Sequence, residues 1–483
     1  MKNYKWPVLI GIAIISLLMH ARHLNKELIS WHVWRQTQTQ STIINFYEED
    51  FNILHPKKND RGAGDGSFRM EFPLMQWLVA GLYKIFGNHL IITRLFMFIT
   101  GLFTVWGMYA MLKALFQQEK LALIGAWAFN FSPTFFYFTI NPLPDNFALC
   151  CSIWGLALFF QWARKPAYSR LFLSGVFLSI GTLCKLPFII YYIVPFVYLL
   201  LQIKDRRSIQ YMHVLQALTV FGSLVFPAMW YISVIPHWHG NGITSGVLDN
   251  QVPFMKVLDY LQHNLVSTLP ESLLNYGSVL FFVAGFYFMF RNKAYKSLYF
   301  IVCLSLSLGV LAYFLFEINM ISTVHDYYLF PFYPLLFMLV AYGAYYLLQV
   351  HTRFFRYLAV FALVTLPVWA HLRMASRWNE ANPGFNKDWL VYKTELRNAV
   401  PKDALCIAGN DASHFILLYY IDKKGWCFDD SHPDMARMIQ EGAKYLYLDT
   451  TTTPPGAEIL AYTDRLVLEK GSMQVYQLKT YTP

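Results

Sequence analysis

Long apolar runs separated by short polar connections fill the first three quarters of the chain. They fall at 7–22, 91–112, 121–140, 146–163, 170–184, 186–203, 214–236, 276–290, 297–316, 328–349 and 357–371. Runs near twenty residues match the ~30 Å hydrocarbon thickness of a bilayer when helical. In lipid only a helix or a closed barrel satisfies its own backbone hydrogen bonds, and runs of this length fit the helix. The pattern predicts an all-α polytopic membrane domain over residues 1–371, with about 11 transmembrane helices.

Between the first two runs lies a long connection, residues 23–90. Thr37 to Tyr47 reads as an amphipathic stretch, and "KKNDRGAGDGS" (57–67) as a flexible loop. "RMEFPLMQWLVAGLYKIFG" (69–87) is apolar but reads as a helix lying at the interface, with Trp77 and Tyr83 as anchors. Past residue 371 the pattern changes. "DALCIAG" and "KYLYLD" read as buried strands, "SHFILLYYIDKKG" and "PDMARMIQEG" as helices, and "DRLVLEK" with "MQVYQLK" as a closing hairpin. Residues 372–483 are therefore expected to form a small α/β domain.

Charge fixes the expected orientation. Lys2 and Lys5 precede the first run, and Lys113 with Lys120, Arg164 with Lys165 and Arg170, Lys204 with Arg206 and Arg207, Arg291 with Lys293 and Lys296, and Arg353 with Arg356 fill every second connection. Short basic connections mark the cytoplasmic side. The amino terminus is thus expected inside and the carboxyl-terminal domain outside, in a cell (inner) membrane. With 56% hydrophobic and 14% charged residues, the net charge of +10 needs no nucleic acid, since much of it lies on that cytoplasmic face. The first run ends in His20-Ala21-Arg22 and not in a small-residue cleavage site, so it reads as a signal anchor. Cys150, Cys151, Cys184 and Cys303 read as core residues, whereas Cys406 and Cys427 fall in the outer domain, where pairing stays open.

Candidate chemistry gathers on the expected outer face. In "WHVWRQTQTQ" (31–40), Arg35 can clamp a phosphate through two parallel hydrogen bonds, though an arginine there also snorkels to headgroups. Glu71 stands before Phe72-Pro73 at a helix start, as a base or as a favourable amino-terminal charge. Asp145 in "NPLPDNF" is a carboxylate at the membrane boundary, or a helix cap. Lys185 in "TLCKLP" is a lone cation suited to a lipid phosphate. His325, Asp326, Tyr327 and Tyr328 open the tenth run, where tyrosines anchor membranes but His and Asp suit sugar or diphosphate contacts. The acidic residues Glu48, Glu49, Asp50, Asp60 and Asp65 read as solvated loop. No glycine-rich phosphate loop, Ser-His-Asp order or metal-ligand spacing stands out, so no cofactor is expected and a metal requirement is not legible.

Taken in order, "WRQTQTQ", "EFPLMQWLVAGLYKIFG", "PLPDNFAL", "LCKLPFIIYYIVPFVYLL" and "HDYYLFPFYPLLF" resemble the bacterial GT-C glycosyltransferases, the family 39-like group related to protein O-mannosyltransferases and the aminoarabinose transferase. The resemblance covers residues 5–370. It implies a GT-C fold, a polyprenyl-phosphate-linked sugar as donor, and an extracytoplasmic acceptor (glycan, lipid or protein). It also implies an outer carboxylate as general base, with inversion at the sugar carbon. Arg35 and Lys185 would hold the donor phosphate. Many relatives carry an acidic pair early in the first outer loop, where this chain has His32-Val33. Glu71 is then the leading base, Asp145 the second, and His32 the third, acting as a neutral imidazole. Two other readings stand beside this one. A transporter or flippase of a lipid-linked or anionic solute would place charges in mid-span, and these runs are almost free of them. A non-catalytic relative would account for the missing acidic pair.

Overall fold

The computed structural model describes residues 4–206, 208–238, 252–429, 433–451 and 456–480; Arg207 and part of the expected outer segment 237–275 lie outside them. The chain divides into two compact units. The first comprises residues 1–25, 70–72 and 94–376, the second 26–69, 73–93 and 377–483.

Among the described residues, eight helices are long and apolar enough to cross a membrane: Lys5–His23, Leu90–Phe116, Pro144–Arg164, Leu186–Arg206, Tyr211–His237, Leu298–Phe316, Asp326–Leu347 and Arg353–Trp378. The pair Phe254–Leu273 with Tyr276–Arg291 is long and apolar enough only when the two are taken together, and it is bent by 108°. Two expected spans take other forms. Residues 121–140 break at Phe131-Ser132 into Glu119–Asn130 and Pro133–Phe138, and 170–184 lie in the 17-residue helix Tyr168–Cys184. Proline explains the break: Pro133 opens the second piece and has no N–H to continue the first.

Burial sorts these helices. Pro144–Arg164 and Asp326–Leu347 have 72% and 83% of their apolar windows buried, whereas Tyr211–His237 and Arg353–Trp378 have 28% each. The latter two expose Leu218, Phe226, Met229 and Ile232, and Phe361, Val364 and Val368, which is stable only against lipid. Two of the inner helices approach through glycine. A Cβ on Gly343 would strike the Phe281 carbonyl, and one on Gly285 the Leu339 carbonyl, so only hydrogen at these positions permits the crossing. At the 108° bend, buried Asn275 adopts a positive φ and donates to the carbonyls of Phe131 and Leu366, both at 3.0 Å. The carbonyls at the Phe131 break and at Leu366 in the last apolar helix thereby gain a donor inside the protein.

The second unit is built on one five-stranded sheet: β1 (Leu405–Gly409), β2 (Lys424–Phe428), β3 (Tyr445–Asp449), β4 (Thr463–Lys470) and β5 (Met473–Leu478), in the order β2-β1-β3-β5-β4. β1, β2 and β3 are parallel, and β5 and β4 add an antiparallel hairpin. The helix Ile416–Ile421, between β1 and β2, packs with Cys406, Ala408 and Tyr447. The helix Met435–Gln440, between β2 and β3, packs with Ile407, Trp426 and Leu446 on the opposite face. Alternating residues of β1 thus serve two cores, as strand pleat requires. Helix Val33–Glu48 joins the first core through Val33 and Ile44.

Four sequence expectations change here. Strand β2 was unforeseen, because Lys423-Lys424-Gly425 reads as a helix ending. Loop 57–67 is tied down: it pairs with the edge strand through Gly425 N–H to the Asn59 carbonyl (3.0 Å) and Arg61 N–H to the Gly425 carbonyl (2.6 Å). Acids of this loop and of the end of helix Val33–Glu48 are engaged as well. Burial opposes ionisation of Glu49, but hydrogen bonds from Arg61 and Lys424 hold its carboxyl down to about 2. Asp60 is buried beside Lys58 and His414. Tyr83, expected as an interfacial anchor, is 1% exposed, its hydroxyl 2.7 Å from both Gln40 and Thr93. Cys406 and Cys427 are buried free thiols.

Candidate active site

Three of the predicted site residues converge in the first unit. Residues 70–72 run as an irregular segment beside the end of helix Tyr168–Cys184. Phe72 N–H donates to the Leu183 carbonyl (3.1 Å), and the indole N–H of Trp230 donates to the Met70 carbonyl (2.9 Å). The Phe72 ring meets Trp230 edge to face at 5.0 Å. Glu71 is thereby fixed from both sides.

Lys185 follows that helix directly, in extended backbone, before the turn Leu186–Tyr192. Its ammonium lies 3.1 Å from Glu71 Oε1 and 3.1 Å from Asp145 Oδ1. Asp145 sits in the first turn of Pro144–Arg164, whose N-cap is Leu143, with no side-chain capping bond. The capping explanation for Asp145 therefore does not apply. Its other oxygen, Oδ2, is buried without a hydrogen-bond partner among the described residues. A buried acceptor left unpaired costs ~1–3 kcal/mol, so it marks a place where an incoming donor group would be stabilising.

The fourth predicted cluster lies around the same cation. Lys185 stands 4.9 Å from the Tyr328 ring centre, and Tyr328 from His325 at 5.5 Å ring to ring. The Tyr313 hydroxyl donates to the Tyr328 carbonyl at 3.1 Å. Asp326 accepts from the Thr134 hydroxyl (3.0 Å) and Tyr327 is buried, so these two brace the turn. Burial pushes the His325 imidazole below its usual range, favouring the neutral ring.

Sequence reasoning missed Glu317. It lies one residue beyond the helix Leu298–Phe316, 9% exposed, within electrostatic reach of Lys185. Burial pushes its carboxyl up to about 7 against the pull of that ammonium. A lone acid closing an apolar run was the available signal.

Arg35 and His32 belong to the second unit. Arg35 is buried and its guanidinium donates to the Gln38 side chain. His32 has a left-handed backbone (φ 53°) and lines a cleft of that unit. Chemically, the first-unit cluster can take a proton on a fixed carboxylate and oppose negative charge with one ammonium, in a largely buried setting.

Residues 71–231 match the family of dolichyl-phosphate-mannose-protein mannosyltransferases. Among solved structures, apo ArnT from Cupriavidus metallidurans superposes with a TM-score of 0.66 at 12% identity, covering 98% of both chains. The same protein bound to undecaprenyl phosphate gives 0.66 at 13% identity, covering 99% of this chain and 98% of that one. The apo Archaeoglobus fulgidus oligosaccharyltransferase gives 0.62 at 12%, covering 93% of this chain and 70% of that one. No curated protein sequence matches the chain. The architecture is that of a multi-pass membrane protein with the GT-C fold. Residues 71–231 are thus similar to the protein mannosyltransferases, and the chain shares the fold of ArnT and of the archaeal oligosaccharyltransferase.

Proposed function

We propose that the protein transfers a sugar from a polyprenyl-phosphate-linked donor to an acceptor at the extracytoplasmic face of the cell membrane. The observation that carries this reading is the meeting of Glu71, Asp145 and Lys185 on a GT-C scaffold. Glu71, 12% exposed against 2% for Asp145, is the more accessible base. Its carboxylate takes the acceptor hydroxyl proton as that oxygen bonds to the anomeric carbon from the face opposite the phosphate. The carbon–oxygen bond to polyprenyl phosphate breaks, the phosphate keeps the electron pair, and configuration inverts. Lys185, held by Asp145, opposes the charge developing on the departing phosphate once Glu71 has turned from it to the acceptor, since in-line displacement puts base and leaving group on opposite sides of the sugar carbon. That ArnT was solved with undecaprenyl phosphate supports the donor class. Arg35, a phosphate ligand by sequence, and His32, the third base, stay secondary in this scheme.

The cytoplasmic amino terminus and the exported carboxyl-terminal domain are part of the same proposal, supported by the alternation of basic connections. The test is transfer from radiolabelled polyprenyl-phosphate sugars in proteoliposomes. Label passing to an acceptor extract, and not with Glu71→Gln, is the expected result. Label flipped across the bilayer but never transferred would sink the proposal in favour of transport.

A further inference from the structure

The parallel half of the second unit's sheet reverses its winding beside β1. From β1 the chain crosses to β2 on one side, then returns past β1 to β3 on the other, with helices Ile416–Ile421 and Met435–Gln440 on opposite faces. Loops leaving the carboxyl ends of β1 and β3 therefore part, and such a switch point opens a crevice where ligands bind. A cleft of ≈ 920 Å³ lies there, lined by residues that follow β1 (Asn410, Asp411, Ser413), residues at and after β3 (Asp449, Thr451), and residues 30, 32–34, 384–386 and 389.

Its floor is rigid. Asp411 accepts from the Ser413 N–H (3.0 Å) and hydroxyl (2.6 Å) through Oδ1, and from Leu417 N–H (2.9 Å) through Oδ2. Asp449 Oδ2 accepts from the Asn386 amide (2.7 Å) and the Trp389 indole N–H (2.8 Å), and its Oδ1 from Thr451. Four of the residues around the cleft hold left-handed backbones: Ser30 (φ 67°), His32 (φ 53°), Gly384 (φ 83°) and Asn410 (φ 64°). For the three that are not glycine this conformation is costly, and such strain gathers where a ligand site is shaped.

The walls define the ligand. Half-buried Trp34, Phe385 and Phe415 present aromatic surface, beside carboxamides and hydroxyls of Asn386, Asn410, Ser413 and Thr451. Among the described residues that line the cleft there are two carboxylates and neither lysine nor arginine; Lys58 stands 5.6 Å from the Phe415 ring centre, paired with Asp60. A phosphate or nucleotide would face the two carboxylates and is disfavoured. A sugar ring fits this mixture: its C–H face lies on an aromatic ring, and its hydroxyls donate to the further lone pairs of the Asp411 and Asp449 carboxylates and of the Thr451 hydroxyl.

We propose that this cleft, formed by the ends of β1 and β3 with Trp34, Phe385 and Phe415, binds a neutral saccharide, the acceptor glycan of the transfer reaction. The acceptor role rests on the glycosyltransferase reading above; the binding itself does not.

The experiment is saturation-transfer NMR on the full chain in lipid nanodiscs. The probes are neutral disaccharides of hexoses and N-acetylhexosamines, with glucose 6-phosphate and a Ser/Thr-rich peptide as comparisons. At least one neutral disaccharide should bind, with ring protons receiving saturation. Trp34→Ala and Phe415→Ala should each weaken it at least fivefold, and Trp34→Tyr, which keeps a ring, should retain it. Glu71→Gln should bind as the parent does while losing transfer. Absence of binding by every neutral disaccharide, preference for the phosphate or the peptide, or full binding in both alanine variants would overturn the assignment. Transfer without saccharide binding would overturn the cleft alone. Saccharide binding by a parent that transfers nothing would overturn the transferase reading and the acceptor role with it.

Discussion

The Lys185 ammonium meets the Glu71 carboxylate at 3.1 Å across 114 residues of sequence. Because Asp145 approaches the same nitrogen at the same distance, one cation restrains two acids. Each acid then has a distinct expected behaviour on substitution.

Glu71→Gln preserves shape but removes proton acceptance. General-base catalysis contributes ~10²–10⁴-fold, so transfer should fall by about that factor with donor binding little changed. Asp145→Asn should also lower turnover, since Asp145 contacts Lys185 and does not cap its helix. Single-turnover transfer and donor binding, measured side by side, check both. An active Glu71 variant beside an inactive Asp145 variant would assign the proton to Asp145.

Lys185→Met leaves Glu71 and Asp145 facing each other without their cation. Removing one partner of a buried pair costs ~3–5 kcal/mol, so the melting temperature should drop clearly and transfer should be lost. Lys185→Met combined with Asp145→Asn should recover stability but not activity, because one of the two stranded charges is gone. A single variant as stable as the parent would show that the pair carries no structural weight.

Glu317 makes stability depend on pH. Its folded value of about 7 lies above its ordinary 4.5, so between these limits the folded protein holds a proton that the unfolded chain has released. Stability should therefore fall as pH rises through that window and level off above about 7. The whole change is worth about 3 kcal/mol. Glu317→Gln lacks this term. Its melting temperature should lie close to the parent's near pH 5 and above it at pH 8, and an offset equal at both pH values would contradict the assignment.

Cys406 and Cys427 should resist modification. Both are buried, and burial pushes the Cys406 thiol up to about 12 and the Cys427 thiol well above its usual range. A membrane-impermeant maleimide should label neither in the native protein and both after denaturation. Rapid native labelling would show that β1 and β2 open to solvent.

Reporter fusions after Arg207 and after Arg291 should be cytoplasmic, and one after Asn379 exported, if the basic connections set orientation. An exported reporter at either basic site, or a cytoplasmic one after Asn379, would reverse the sidedness proposed for the site.

Periodicity and composition act locally, and what they determined is local. The membrane class, most of the apolar helices, strands β1 and β3, the closing hairpin and the chemical types at positions 71, 145 and 185 were all legible in the sequence. Strand β2 was not, because Gly425 reads as a turn. In the fold it is glycine for another reason: at φ 150° a Cβ would run into the Cys406 carbonyl of the neighbouring strand. The reading of Asp145 as a cap failed because capping depends on where the chain turns, and it turns at Leu143. The same limit hid the ion pairs of Glu49 and the burial of Tyr83, whose partners are remote in sequence. That Lys185 would face Glu71 and Asp145, and that Glu317 would be buried within its electrostatic reach, was decided by tertiary packing. A charge's partner and its desolvation are set by whatever else fills the surrounding volume, and no run of neighbouring residues encodes that.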